Sequence, residues 1–258
     1  MSYCLELNEY FAQKWRNLDP FEEAQKIEGQ VFRKVKNRRT LRFEENGQTY
    51  FIKFHNGVGW REIFKNYSMF KRPVLGANNE YHAIRLLEKL NIKTMTPCAY
   101  GMRNFNIANR QSFLITEALT GMISLKNLCL KWPQEPPAFA QKIYLLQKMA
   151  HIVGLMHRNG LNHRDCYICH FLLAPDDEIY VIDLHRAEIR KKVPYRYLVK
   201  DVAGLYFSAM DAGLTRRDLF RFIKAYSLKS LRGADWRFWR DVERTAIALY
   251  KRQQRKEK

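Results

Sequence analysis

A chain of 258 residues with 47% hydrophobic side chains holds the apolar material for one large or two small domains and excludes global disorder. Lys plus Arg number 45 against 26 acids, a formal charge of +19, which calls for an anionic partner: nucleic acid, an anionic membrane surface, a phosphorylated glycolipid or an acidic protein. No run approaches the roughly 18 apolar residues of a transmembrane helix, and residues 1–20 lack the apolar core of a signal peptide. Five cysteines without framework spacing fit a reducing compartment. The expectation is a cytosolic protein, at most peripheral to a membrane.

Residues 1–26 read as a helical extension of mixed charge, with Tyr10, Phe11, Trp15 and Phe21 available to pack on a neighbour. From Gly29 the period shortens. Val31 to Val35, Thr40 to Phe43 and Tyr50 to Phe54 predict three short strands, with Asn46-Gly47 as a hairpin signal between the last two. Arg33, Lys34, Lys36, Arg38, Arg39 and Arg42 crowd one part of this meander. They read either as a solvated strand edge or as an anion-facing flap; with only Gly29 near the first turn there is no glycine-rich phosphate loop. Residues 55–79 form an insert with a short helix from Trp60 to Phe70, ended by Pro73 and Gly76. Asn78-Asn79-Glu80 then caps a helix to about Leu90, with Ile84 and Leu87 on its buried face. Residues 97–108 and 112–118 read as two further strands.

After Leu119 the composition turns helical. The division predicted is a helical extension over 1–26, a nucleotide-binding lobe over 27–118 and a catalytic, acceptor-binding lobe over 119–258. Phe139, Ile143, Leu146, Ala150, Val153 and His157 recur at steps of three and four, one stripe of an amphipathic helix, which Asn159-Gly160 stops. His163-Arg164-Asp165 follows at once, ahead of a strand, and Asp183 ends the next strand after Tyr180-Val181-Ile182. A hairpin between them carries both carboxylates to one edge. Beyond Asp183 come a basic loop (Arg186, Arg190, Lys191, Lys192, Arg196), a helix from about Asp201 to Met210, and two more helices.

Phosphoryl transfer needs a cation on the nucleotide phosphates, a metal held by a carboxylate and a group that orients the attacking hydroxyl. Each has a candidate in the expected order. Lys53 ends Tyr-Phe-Ile-Lys, similar to the kinase Val-Ala-Ile-Lys, and Glu80 opens the next substantial helix, where it can pair with that lysine. Thr116-Glu117-Ala118-Leu119 resembles the hinge at which adenine meets backbone groups, so Glu117 and Leu119 are nucleotide contacts. Asp165, in its His163-Arg164-Asp165 setting, receives or orients the hydroxyl proton, and Asp183 holds magnesium.

In these features the chain resembles the protein-kinase-like fold over roughly residues 27–250: α+β and bilobal, with an antiparallel sheet and one main helix in the N-lobe and a mostly helical C-lobe. More closely, Gly57-Val58-Gly59-Trp60-Arg61-Glu62, Arg72-Pro73-Val74-Leu75-Gly76-Ala77 and His163-Arg164-Asp165-Cys166-Tyr167-Ile168-Cys169-His170-Phe171-Leu172 resemble the heptose-I kinases of the lipopolysaccharide inner core. That resemblance implies that ATP, with Mg2+, phosphorylates a hydroxyl of the first heptose on nascent lipopolysaccharide at the cytoplasmic face of the inner membrane of a Gram-negative bacterium. It also implies an acyl carrier protein as an acidic partner.

Three departures from the protein-kinase pattern bear on mechanism. His170 stands where the kinase loop has its metal-binding Asn, although magnesium prefers oxygen ligands; it is placed here at the border of the metal site. Asp183 is followed by Leu184-His185 rather than Phe-Gly. No Ala-Pro-Glu follows, and about 17 residues separate Asp183 from the next expected helix, which disfavours a peptide-docking segment and favours a carbohydrate or small-molecule acceptor. Asp201 matches the position of an Asp that braces the catalytic loop.

Other readings stay open on the sequence alone. A related kinase of another sugar, a small molecule or tyrosine carries the same motif, and a pseudokinase-type module would use the basic surface for binding only. Cys166-x-x-Cys169 between His163 and His170 invites zinc, but a closed site draws ligand pairs from two elements, so the cysteines read as small core residues. Trp236-Arg237-Phe238-Trp239-Arg240 suits base stacking; its helical spacing favours buried indoles, so nucleic acid is not the expected partner.

Overall fold

A computed structural model describes residues 3–35, 37–57, 59–68, 76–104 and 106–257. The chain divides into two units, Met1–Arg85 with Met95–Thr120, and Leu86–Thr94 with Gly121–Lys258. The first begins with strand β1 (Tyr3–Leu7) and helices α1 (Glu9–Lys14) and α2 (Pro20–Lys26). The meander β2 (Gln30–Val35), β3 (Arg38–Glu45) and β4 (Gln48–Asn56) follows, then helices α3 (Trp60–Ser68) and α4 (Asn78–Lys89) and strands β5 (Pro97–Arg103) and β6 (Gln111–Glu117). All six strands make one antiparallel sheet in the order β1-β5-β6-β4-β3-β2.

The β3–β4 hairpin follows its sequence signal. Asn46 and Gly47 both have positive φ, +53° and +73°, the two-residue turn whose twist matches the flanking strands. Phe11, Trp15 and Phe21 from α1 and α2 are buried against Phe43, Tyr50, Ile52, Phe113 and Ile115 of the sheet. The expectation of helix throughout 1–26 is corrected at β1, where Cys4 pairs with Met102 and Leu7 with Ala99; the partner lies too far along the chain for local periodicity to report it.

The strand predicted over 97–108 also ends early, at Arg103. Asn104 turns the chain at φ +83°, and the Asn106 side chain accepts from the Ala108 amide to cap a short 3-10 turn. Helix α3 is described to Ser68; the expected end at Phe70 and Pro73, the stretch Arg72 to Leu75, Val58 and Lys36 lie outside the described residues.

The second unit holds β7 (Ile123–Ser124), α5 (Leu125–Cys129), α6 (Phe139–Arg158), β8 (Leu161–Asn162), β9 (Phe171–Leu173), β10 (Ile179–Val181), β11 (Glu188–Ile189), α7 (Tyr195–Ser208), α8 (Arg216–Ser227) and α9 (Trp236–Glu257). Its strands form a small β10-β9-β7 sheet and a β11-β8 pair, both antiparallel; the rest is helical. The fold is therefore α+β, with the main antiparallel sheet in the first unit and helices dominating the second.

Helix α6 buries a wider face than the one stripe expected. Leu145, Met149, Ile152 and Met156 are buried with Ala150, Val153 and His157, whereas Phe139 is exposed beneath the Arg221 guanidinium. Asp218 caps α8 reciprocally with Thr215 and also meets Lys142 of α6 at 2.9 Å. Helix α7 starts at Tyr195, ahead of the expected Asp201: Pro194 presets the extended N-cap, and nothing from 195 to 200 breaks the helix. Phe238 and Trp239 of α9 are buried, Phe238 stacking on Tyr226 with ring centroids 6.0 Å apart.

Candidate active site

In the first unit Lys53 lies on central strand β4, flanked by Thr40 of β3 and Leu114 of β6. Its ammonium reaches Glu80 Oε1 at 2.6 Å, and the Glu80 side chain is 2% exposed. Glu80 stands in the first turn of α4, where the helix dipole favours a carboxylate. Glu117 ends β6. Its amide is taken by the Thr96 carbonyl and the Ala118 amide by the Thr49 carbonyl, at 3.0 and 2.9 Å. The half-buried Leu119 contributes an amide that meets no backbone acceptor among the described residues.

In the second unit the loop after α6 is set by close backbone approach. Gly160 has φ +80°, and a Cβ there would fall 1.8 Å from the Arg190 carbonyl oxygen. The Arg190 amide donates to the Gly160 carbonyl at 2.9 Å, and the β8–β11 pair continues this contact. His163, Arg164 and Asp165 follow β8. Buried Asp201 accepts the His163 amide at 2.6 Å and the Arg164 amide at 2.9 Å, which holds Arg164 at φ +70°. The Arg164 guanidinium donates to Glu188 at 2.7 Å. The His163 ring donates from Nε2 to the Ile182 carbonyl at 3.0 Å, and burial pushes its pKa down and keeps it neutral.

The β9–β10 hairpin pairs Phe171 with Val181, so His170 and Asp183 leave the same end. His170 joins the two carboxylate-bearing segments. Its Nδ1 donates to the Asp165 carbonyl at 2.7 Å, and its Nε2 lies 3.4 Å from Asp183 Oδ2. Burial acts against a charged ring, but the Cys169 thiol, the Asp165 carbonyl and the Asp183 carboxylate outweigh it and raise the pKa to about 9. Asp183 sits in the left-handed region at φ +59°; its Oδ1 also meets His185 Nδ1 at 2.5 Å. Cys166 is buried and Cys169 half-buried.

Two residues of this site were not singled out by the motif. His185 contacts Asp183, and Arg186 Nη1 donates to both oxygens of Asp165, at 2.8 and 3.1 Å. Their only signal in the sequence is position, two and three residues after Asp183, and Arg186 is hidden there as the first cation of a basic loop.

Residues 22–226 match the model of the lipopolysaccharide kinase (Kdo/WaaP) family. The chain belongs to this family. It is 46% identical over 263 residues to the lipopolysaccharide core heptose(I) kinase WaaP of Pseudomonas aeruginosa, with 97% of each chain covered. It is 49% identical over 229 residues to the enzyme of the same name from Escherichia coli K12, covering 86% of each. Among solved structures, WaaP in complex with acyl carrier protein aligns at a TM-score of 0.85 and 41% identity, over 96% of this chain and 99% of that one. As a member of the Kdo/WaaP kinases, the chain is a kinase, and kinase chemistry implies ATP as phosphoryl donor.

Proposed function

We propose that this chain transfers the γ-phosphoryl group of ATP to a hydroxyl of the first heptose of the lipopolysaccharide inner core. The observation that carries the proposal is 46% identity, over 97% of both chains, to a heptose(I) kinase. In this reading Lys53 offsets the charge of the nucleotide phosphates, and Glu80 keeps the lysine in place on β4. The Glu117 carbonyl and the Leu119 amide meet the adenine edge. Asp165 receives or orients the acceptor proton, and His163 and Arg164 fix the loop that presents it.

Asp183 would hold Mg2+. One carboxylate suits this ion, which completes its shell with waters and substrate phosphates rather than an all-protein cage. Bound there, magnesium supplies positive charge to the β- and γ-phosphates. His170 borders the site; with Nδ1 committed to the Asp165 carbonyl, its Nε2 faces Asp183 and orients that carboxylate. The short segment between Asp183 and α7, which begins at Tyr195, offers little chain for docking a peptide and suits a sugar acceptor.

The partner readings draw on the surface and the interior. The net charge of +19 suits the anionic glycolipid, a membrane surface and an acidic acyl carrier protein. The second unit contains an apolar cavity of about 370 Å³ lined by Leu145, Met149, Val202, Leu205, Leu219 and Ile223, a receptor of the right chemistry for the acyl chain such a carrier presents. No helix among the described residues is long and apolar enough to cross a membrane; in this reading the chain meets the inner membrane from its cytoplasmic face, as a peripheral contact. Helix α3 supplies a suitable surface: Trp60 and Phe64 are exposed one turn apart, beside the cations Arg61 and Lys65, while Ile63 anchors the helix inward. Mass spectrometry of core oligosaccharide from cells with and without the gene tests the proposal. One phosphate lost from the first heptose is the expected result, and an unchanged core overturns it.

A further inference from the structure

We propose that Arg186 is a catalytic residue of this reaction, holding Asp165 with one guanidinium nitrogen and the phosphoryl group in flight with the others. The inference rests on the kinase reading above and deepens it. Arg186 Nη1 donates to Asp165 Oδ1 at 2.8 Å and to Oδ2 at 3.1 Å. An arginine that served only to brace a carboxylate would meet it fork to fork, with two nitrogens on two oxygens. Here a single nitrogen serves both oxygens, and Nη2 and Nε donate to nothing among the described residues. The Arg186 side chain is 34% exposed, so those donors are accessible to a ligand.

The backbone beneath Arg186 is fixed. Asp183 at φ +59° opens the short turn Leu184–Arg186, the Ala187 amide closes it on the Leu184 carbonyl at 2.9 Å, and Leu184 and Ala187 are buried at 0% and 1% exposure. His170 of the catalytic loop is committed to the Asp165 backbone carbonyl and to Asp183, and the rest of that loop supplies no competing cation at the Asp165 carboxylate. Arg164 is paired with Glu188 at 10% exposure on both sides, His163 is buried and neutral, and Cys166-Tyr167-Ile168-Cys169 carries no fixed charge. Arg186 is thus the guanidinium that contacts the group orienting the nucleophile.

The step balances as follows. The acceptor oxygen forms a bond to the γ-phosphorus while the bond from that phosphorus to the β–γ bridging oxygen breaks; ADP leaves with the electron pair, and the hydroxyl proton passes to Asp165. Charge in the transition state spreads over the three equatorial oxygens of the phosphoryl group. A hydroxyl bonded to Asp165 lies within about two hydrogen-bond lengths, roughly 6 Å, of Nη1. The phosphoryl group it attacks is therefore within reach of Nη2 and Nε. A planar guanidinium can serve a carboxylate and a phosphoryl oxygen at once, which an ammonium cannot do with the same geometry.

The test compares wild-type protein with Arg186→Ala and Arg186→Lys, using ATP and dephosphorylated core oligosaccharide, with melting temperature and nucleotide affinity measured on each. Wild-type turnover comes first: if it fails, the kinase reading falls before Arg186 is at issue. With wild type active, Arg186→Ala is expected to lower kcat about 10³-fold, the lower end for a transition-state arginine, with ATP affinity within about threefold of wild type. Added guanidinium should restore part of the Ala variant's rate and none of the Lys variant's. A kcat within about threefold of wild type in either variant overturns the proposal, as does a loss that follows melting temperature or ATP affinity without guanidinium rescue. Should the Ala variant fail to fold, the Lys variant decides alone: at least about a tenfold loss of kcat at unchanged melting temperature is expected.

Discussion

Lys53 Nζ lies 2.6 Å from Glu80 Oε1, and the glutamate side chain is almost wholly buried. Removing the lysine strands a carboxylate in the interior, a loss of about 3–5 kcal/mol for a buried pair. Lys53→Met is expected to lower both stability to urea and phosphoryl transfer. Adding Glu80→Gln should recover most of the stability and none of the transfer. Recovery of both together would show that Lys53 acts only through packing.

Asp201 accepts two backbone amides in the catalytic loop, those of His163 and Arg164. It also sustains the left-handed φ of Arg164, a conformation that costs a non-glycine residue about 1–2 kcal/mol. Asp201→Ala leaves two buried donors unsatisfied, at about 1–3 kcal/mol each. The expected result is a large loss of both melting temperature and kcat. Asp201→Asn keeps one acceptor oxygen and should fall between wild type and Asp201→Ala, with ATP affinity little changed because the adenine contacts proposed and Lys53 lie in the first unit.

Asp218 fixes the acid limb of stability. Burial opposes its ionisation, but Lys142 at 2.9 Å and the Thr215 amide and hydroxyl hold its carboxyl down at about 2. A carboxylate whose folded pKa lies below its unfolded value of about 3.9 stabilises the fold above the unfolded pKa. That contribution, about 2 kcal/mol, should decline as pH falls from about 4 through about 2. Urea unfolding as a function of pH is expected to show this decline in wild type, and Asp218→Asn should flatten it. An identical profile in the variant would remove Asp218 from the account.

The exposed pair Trp60 and Phe64 predicts a lipid contact. Trp60→Ser with Phe64→Ser should cut partitioning to vesicles of anionic phospholipid by about tenfold, a modest figure for two aromatic side chains. Transfer to a soluble core oligosaccharide should stay at the wild-type rate. High salt should weaken the binding of wild type through Arg61 and Lys65. Unchanged sedimentation with vesicles would place the membrane contact elsewhere.

Much of this molecule was legible because its signals are local. Asn46-Gly47 announces the β3–β4 hairpin and Asn159-Gly160 the end of α6; the order of Lys53, Glu80, Asp165 and Asp183 suggests a kinase, the class that the family match shows. What escaped depends on distant or ambiguous partners. Strand β1 is an edge strand whose register is set by β5, nearly a hundred residues on. The wide buried face of α6 reflects packing against α8 and the catalytic loop, which no single stripe reports. Arg186 looks like any loop arginine until the turn Leu184–Arg186 aims it at Asp165. His170 was visible as a departure, yet only the structure shows that its two nitrogens link the Asp165 backbone to Asp183.

The central claim is that Asp165 serves the transfer of phosphate to the core heptose. Its most direct test is transfer of label from [γ-32P]ATP to dephosphorylated core oligosaccharide by wild type and Asp165→Asn. The expected result is stoichiometric labelling of the heptose by wild type and a loss of at least about a hundredfold in the variant. Full transfer by Asp165→Asn would contradict it.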